Sequence, residues 1–248
     1  FMSTEQAVKD GYDEIQHINM LLLNFLATPS DDTRTPVRFT AVGERAGALD
    51  LQSKPVEDFI RLLKDRQIVV DPTAGIFMSM FTQKPGMLNP NFATIADHLP
   101  PTVRRSLYSG DMDINAKNEQ PYRAAADTVL RLIKKLHDAG ITLVPGTYNV
   151  AGFSLHRELE LYSQAGIPND QVLQLATLGS ARVARADKTL GSITVGKQAD
   201  LLLIDGNPLE NISDIRKISL VIKGKSYYRP DELNRALGVE PFAKSVGL

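Results

Sequence analysis

The sequence of 248 residues contains no cysteine and no tryptophan. The absence of cysteine excludes disulfides, thiolate metal ligands and a cysteine nucleophile, but it does not identify a cellular compartment. No apolar run reaches the roughly 18 residues that a membrane-spanning helix requires, and the longest, residues 20–27, is interrupted by Asn24. The net charge of −1 does not indicate nucleic acid or an anionic membrane surface as a partner. With 43% hydrophobic and 23% charged residues, the composition is that of an ordinary globular protein.

Strand and helix patterns alternate over most of the chain. Short apolar runs that end in turn residues or proline predict strands at 13–17, 68–72 and 141–147. Apolar residues at helical spacing predict helices at 4–11, 36–48, 54–66, 121–139, 154–165 and 169–178. This order predicts an α/β fold with a parallel sheet.

The pattern changes after Asp187. Short segments joined by glycine turns predict antiparallel strands at 192–195, 199–205 and 220–228. We therefore divide the chain into an α/β part, residues 1–187, and a β-layer with a C-terminal tail, residues 188–248.

Three segments resemble the amidohydrolase superfamily, in particular its imidazolonepropionase-like and prolidase-like branch. They are GYDEIQHIN at 11–19, LVPGT at 143–147 continuing through AGFSLHRELE at 151–160, and LGSI at 190–193 followed by GK, ADL and DGNPL. The resemblance implies the C-terminal part of a (β/α)8 barrel of TIM type, strands six to eight, with part of an appended antiparallel β-sandwich. The active site of such a barrel lies at the carboxyl ends of its strands.

The resemblance also implies that other ligands of the family lie elsewhere. Its His-x-His motif, its carboxylated lysine and its fifth-strand histidine would precede Phe1. Three strands cannot close a barrel. We therefore expect an incomplete site. We also expect that the N-terminal side of the three-stranded sheet is an open apolar face, or that self-association or a missing N-terminal segment covers it.

His17 follows the first predicted strand, where a barrel places its active-site groups. An imidazole nitrogen is a good Zn²⁺ ligand, and the resemblance assigns His17 to the position of a metal ligand. The alternative from the residues alone is a strand-end histidine that hydrogen-bonds to a backbone carbonyl.

Tyr148 stands where the family carries the aspartate that contacts the metal and transfers protons. A phenol is bulkier than a carboxylate and is neutral where the aspartate is charged. No aspartate lies between Asp138 and Asp170, so a shift of register does not supply one.

Further candidates carry weaker signals. His156 either contacts substrate or, like Glu158, belongs to the polar start of a helix. Asp71 and Thr73 either line the mouth of the pocket or form a turn. Two other histidines, His98 and His137, are expected at the surface.

The resemblance implies metal-dependent hydrolysis of an amide-type C–N bond in a dipeptide, a cyclic amide or a similar small substrate. One or two divalent metals, Zn²⁺ first among them, would lower the pKa of a bound water to about 7 and polarise the carbonyl. The alternative is a non-catalytic remnant that serves as a binding or interaction module or requires a partner segment.

The segment 82–120 is rich in proline, asparagine and glycine and has the least apolar periodicity. We predict that its backbone amides exchange hydrogen fastest in the folded chain. Hydrogen–deuterium exchange with mass spectrometry measures this, with residues 121–139 as the internal reference. Equal, slow exchange in both segments would contradict the prediction.

Overall fold

A computed structural model describes residues 2–148, 150 and 152–247 of the chain. Phe1, Asn149, Ala151 and Leu248 lie outside the described residues. The expectation that further ligands of the family would precede Phe1 therefore also concerns positions outside the described residues.

The predicted parallel sheet is confirmed. Strands β1 (Glu14–Gln16), β2 (Val69–Asp71) and β3 (Thr142–Leu143) lie side by side in chain order, and both pairings are parallel. Ile15 pairs with Val70, which pairs with Leu143. The three side chains are buried, so the centre of the sheet belongs to the main hydrophobic core.

Helices surround this sheet in the described part of the chain. In chain order, the first eight are α1 (Thr4–Lys9), α2 (Ile18–Leu26), α3 (Val37–Arg45), α4 (Lys54–Asp65), α5 (Ala74–Thr82), α6 (Pro101–Ser106), α7 (Glu119–Asp138) and α8 (Ser154–Gln164). Helices α9 (Asn169–Gln174) and α10 (Ser180–Val183) are joined by a π-helical turn at Leu175–Gly179.

Four of these helices, α2, α5, α6 and α10, were not predicted. Of the four, α2 and α5 are the buried ones. Each begins within three residues of a strand and is apolar on nearly all sides, with Leu21, Leu22 and Leu23 fully buried in α2. A helix that is buried all round shows no 3.6-residue periodicity, so its pattern cannot be distinguished from a buried strand.

The segment 82–120 is more ordered in its packing than its composition predicted. Two short 3-10 helices and α6 lie within it, at Pro90–Phe92, Ala96–His98 and Pro101–Ser106. Five of its side chains form a second apolar cluster, namely Phe92, Ile95, Ala96, Leu99 and Leu107. Its exchange rate stays a prediction.

The antiparallel layer is confirmed with three strands, as many as were predicted, because the predicted strand at 220–228 divides into two at Gly224. Strands β4 (Asp200–Ile204), β5 (Ile218–Lys223) and β6 (Ser226–Tyr228) form a meander. The predicted strand at 192–195 is wrong: Ile193 and Val195 are almost fully exposed and pair with no strand among the described residues.

The segment after helix α11 (Pro230–Ala236) connects the second apolar cluster with the antiparallel sheet. Phe242 stacks on His98 with ring centroids 3.8 Å apart, and the Glu240 N–H donates to the His98 carbonyl at 2.8 Å. Further along, the Val246 N–H donates to the Ser219 carbonyl on β5 at 3.2 Å. The tail therefore holds the two regions together. None of the described helices is long and apolar enough to cross a membrane.

Candidate functional site

The carboxyl ends of β1, β2 and β3 meet at one edge of the parallel sheet. Beyond the last ladder pair, the His17 N–H donates to the Asp71 carbonyl at 2.7 Å and the Ile18 N–H to the Pro72 carbonyl at 2.9 Å. From the third strand, the Gly146 N–H donates to the Asp71 carboxylate at 3.0 Å. The three strand ends are therefore tied together by Asp71.

Two residues at this edge have unusual backbone conformations. His17 has φ of 71° and Thr73 has φ of 44°, values that non-glycine residues rarely adopt. His17 Nδ1 and Thr73 Oγ1 lie 2.7 Å apart in a hydrogen bond. Such strain persists only where the surroundings enforce it, and it is common at functional sites.

The imidazole of His17 thus hydrogen-bonds to a side-chain hydroxyl. The alternative that the residues alone suggested was a hydrogen bond to a backbone carbonyl. Burial lowers the pKa of His17, and the charge of Asp71 opposes that effect. The imidazole is therefore neutral at pH 7. When Nδ1–H donates to Thr73, the lone pair lies on Nε2, which has no hydrogen-bond partner in the described part of the chain.

Tyr148 lies against His17, as the strand-end argument predicted. The ring centroids are 5.5 Å apart and the planes meet at 82°, an edge-to-face contact. The tyrosine side chain is 70% exposed. The structure thus brings the two predicted residues together, while their roles stay predictions.

A carboxylate does lie at this edge, that of Asp71. The sequence alone did not decide whether Asp71 lines the pocket mouth or forms a turn. Burial raises its pKa, while N–H groups of Thr73 and Gly146 counter that effect by hydrogen bonding. A Cβ on Gly146 would overlap the Asp71 carboxylate. Glycine at this position therefore permits the contact between the second and third strands.

Glu158 lies behind this edge and caps a helix other than its own. Its two carboxylate oxygens accept the N–H groups of Ala74 and Gly75, each at 2.8 Å, at the start of α5. This differs from the sequence-based prediction, which placed Glu158 at the start of its own helix, α8. Glu158 is 1% exposed, and burial raises its pKa to about 7. It borders a cavity of about 10 Å³, room for about one water molecule, beside Tyr148.

His156 does not join His17. It lines a different cavity with Arg216 and Phe242, and burial together with the Arg216 charge lowers its pKa to about 4. His156 therefore lies outside the arrangement at the strand ends, and its contact with substrate stays a prediction. His98 is half-buried under Phe242 and is less exposed than expected.

The described residues include no group of three or more His, Cys, Asp or Glu side chains arranged to hold a metal. A catalytic zinc usually takes three protein ligands. His17 and Asp71 alone therefore do not fit a catalytic zinc ion, and the metal dependence implied by the resemblance needs donors beyond this set.

The comparisons with known proteins agree with the sequence resemblance. The model of the amidohydrolase family matches residues 123–226. A search of curated proteins gave no match. The resemblance to the amidohydrolase superfamily is therefore confirmed for this part of the chain.

Solved structures share the fold over most of this chain. A Xaa-Pro dipeptidase with bound methionine in its active site has a TM-score of 0.55 over 91% of the chain at 20% identity. A bottromycin amidohydrolase has a TM-score of 0.59 over 96% of the chain at 16% identity. A putative prolidase from Bifidobacterium longum has a TM-score of 0.52 over 94% of the chain at 19% identity.

The matched parts make up 42%, 52% and 62% of these three proteins, so the chain spans about half their length. At these identities the likeness shows the fold alone. It implies a TIM-barrel-type fold, in agreement with the observed α/β arrangement of one parallel and one antiparallel sheet.

We predict that Gly146→Ala destabilises the chain by about 1–3 kcal/mol, because the new methyl group displaces the Asp71 carboxylate. Urea unfolding measures the change. Gly75→Ala is the matched control, since its Cβ would lie at an ordinary 3.5 Å from Glu158. Equal stability of the two variants would contradict the prediction.

A second prediction concerns pH. The pKa of Glu158 rises from an ordinary 4.5 to about 7 in the folded chain. The folded state then binds more protons than the unfolded state between these values, so the free energy of unfolding falls as pH rises from 4.5 to 7 and levels off above.

Glu158→Gln is expected to remove this fall, because the amide does not titrate. Urea unfolding at a series of pH values compares it with wild type, and with Glu210→Gln at an exposed position as control. If the Glu158→Gln chain keeps the wild-type pH dependence, the assignment is wrong.

Proposed function

We propose that this chain, which resembles the amidohydrolase superfamily in sequence over residues 123–226 and in fold over most of its length, contributes to the hydrolysis of an amide-type C–N bond. The observation that carries the proposal is the arrangement of His17, Thr73, Asp71 and Tyr148 at the carboxyl ends of three parallel strands. A dipeptide, a cyclic amide or a similar small molecule is the proposed substrate class.

The proposal treats β1, β2 and β3 as the sixth, seventh and eighth strands of a (β/α)8 barrel. Their parallel pairing in chain order, with helices between them, supports this assignment. Active sites of such barrels lie on the face formed by the carboxyl ends of the strands. That face is the one on which His17 and Tyr148 lie in contact.

His17 is the proposed metal-ligand position. Its low pKa keeps the imidazole neutral, as a ligand must be, and the bond to Thr73 orients the ring. The family's Zn²⁺ or other divalent metal needs further donors than the described residues bring together. We therefore propose that ligands outside this set complete the site.

Tyr148 is the proposed cause of impaired catalysis. It places a neutral phenol at the position from which the family's aspartate transfers protons, and its ring lies beside His17. Asp71 does not replace that aspartate in our proposal, because two backbone N–H groups hold its carboxylate. His156 lies in another cavity and has no assigned part in hydrolysis.

A non-catalytic binding or interaction module is the second candidate. The tyrosine at the aspartate position and the small donor set both favour it. Such a module would require a partner segment, or it would self-associate along β1, which lies at the edge of the parallel sheet. Metal content and turnover distinguish the two candidates.

We predict that the purified chain holds less than one equivalent of zinc and hydrolyses a Xaa-Pro dipeptide no faster than buffer. Tyr148→Asp alone is expected to leave both results unchanged, because the donor set remains too small. Elemental analysis and amino-acid release measure the two quantities.

His17→Ala should lower any residual zinc, whereas His137→Ala, in the last turn of α7, should not. One zinc per chain together with turnover that is lost on chelation would overturn the prediction of impairment. It would leave the proposed reaction class in place.

A further inference from the structure

A second cavity lies between α8, β5 and the C-terminal segment. Its volume is about 230 Å³, and its walls are mainly apolar. The side chains that matter here are Phe153, His156, Arg216, Leu237 and Phe242. None of them belongs to the edge where His17 and Tyr148 meet.

Arg216 is the charged group of this cavity and is 8% exposed. Its Nε donates to Glu160 at 2.8 Å, but its Nη1 is buried without a hydrogen-bond partner among the described residues. Buried polar groups in native proteins are nearly always hydrogen-bonded. The Nη1 group of Arg216 is therefore a buried donor that is free to pair with an acceptor group of a ligand.

The charges around Arg216 do not balance. Glu160 serves two guanidinium groups, since its other oxygen lies 3.3 Å from Arg157 Nη1. Glu158 interacts electrostatically with Arg157, but N–H groups of α5 occupy both of its oxygens and burial raises its pKa to about 7. His156 is neutral, because burial and Arg216 lower its pKa to about 4. The cluster thus carries an excess of positive charge.

We propose that this cavity is a binding site for a small carboxylate that carries an apolar group. The carboxylate would pair with the Arg216 guanidinium, whose planar fork matches two oxygens, and the apolar group would lie between Phe153, Leu237 and Phe242. The excess positive charge selects an anion over a neutral or cationic molecule of the same shape. The site is independent of the hydrolytic function proposed above.

Hexanoate is the probe, with 1-hexanol and hexylammonium as neutral and cationic analogues of similar shape. Isothermal titration of the full chain is expected to give saturable, one-to-one binding of hexanoate. Binding of 1-hexanol should be at least about tenfold weaker, because charge-assisted hydrogen bonds are the stronger class. Hexylammonium should not bind. N-acetylleucine distinguishes a free acid from a peptide-like carboxylate, and the tighter of the two anions identifies the source.

Leu237→Trp tests the location. Leu237 is 72% exposed and lines the cavity, so a larger side chain can fill part of it without entering the core. It should weaken hexanoate binding at least about tenfold. Leu233→Trp is the matched control on α11: Leu233 is 50% exposed and does not line the cavity, so binding should be unchanged.

Arg216→Lys tests the recognition. It keeps a cation for Glu160 but loses the planar fork, so hexanoate binding should fall about tenfold or more while thermal unfolding confirms that the chain is folded. Equal binding of hexanoate and 1-hexanol, equal effects of the two tryptophan variants, or no binding by the wild-type chain would overturn the proposal.

Discussion

The two hydrogen bonds from the start of α5 to Glu158 hold the site in its observed form. They join α8 to the first turn of α5, which begins directly after the second strand. Helix α5 has no side-chain cap of its own, so the remote carboxylate supplies the acceptors that its free N–H groups need. Because Thr73 precedes this turn, the same bonds fix the strained residue that orients His17.

Asp71 links the three strands by hydrogen bonds, as Glu158 links helices α5 and α8. Its backbone carbonyl accepts the N–H of His17 from one neighbouring strand, and its carboxylate accepts the N–H of Gly146 from the other. The arrangement at this edge therefore requires glycine at position 146, because a Cβ there would occupy the space of the Asp71 carboxylate. Geometry at the strand ends is fixed by main-chain donors more than by packing of side chains.

The sequence predicted the parts of the fold that have a period or a turn signal. The strand ends at His17 and Tyr148 were found because the carboxyl ends of parallel strands share one edge. Helices α2 and α5 were missed because they are apolar on all sides. The roles of Glu158 and Arg216 were not predicted, because their partners are distant in sequence and a local pattern carries no information about such contacts.

The C-terminal tail has a kinetic consequence for the cavity that it helps to enclose. Phe242 forms part of the wall while stacking on His98, and few backbone hydrogen bonds fasten the tail to the rest of the chain. Segments held in this way open locally at a free energy far below that of global unfolding. Entry to and exit from the cavity would then follow the opening rate of the tail, so residence time and affinity can vary independently.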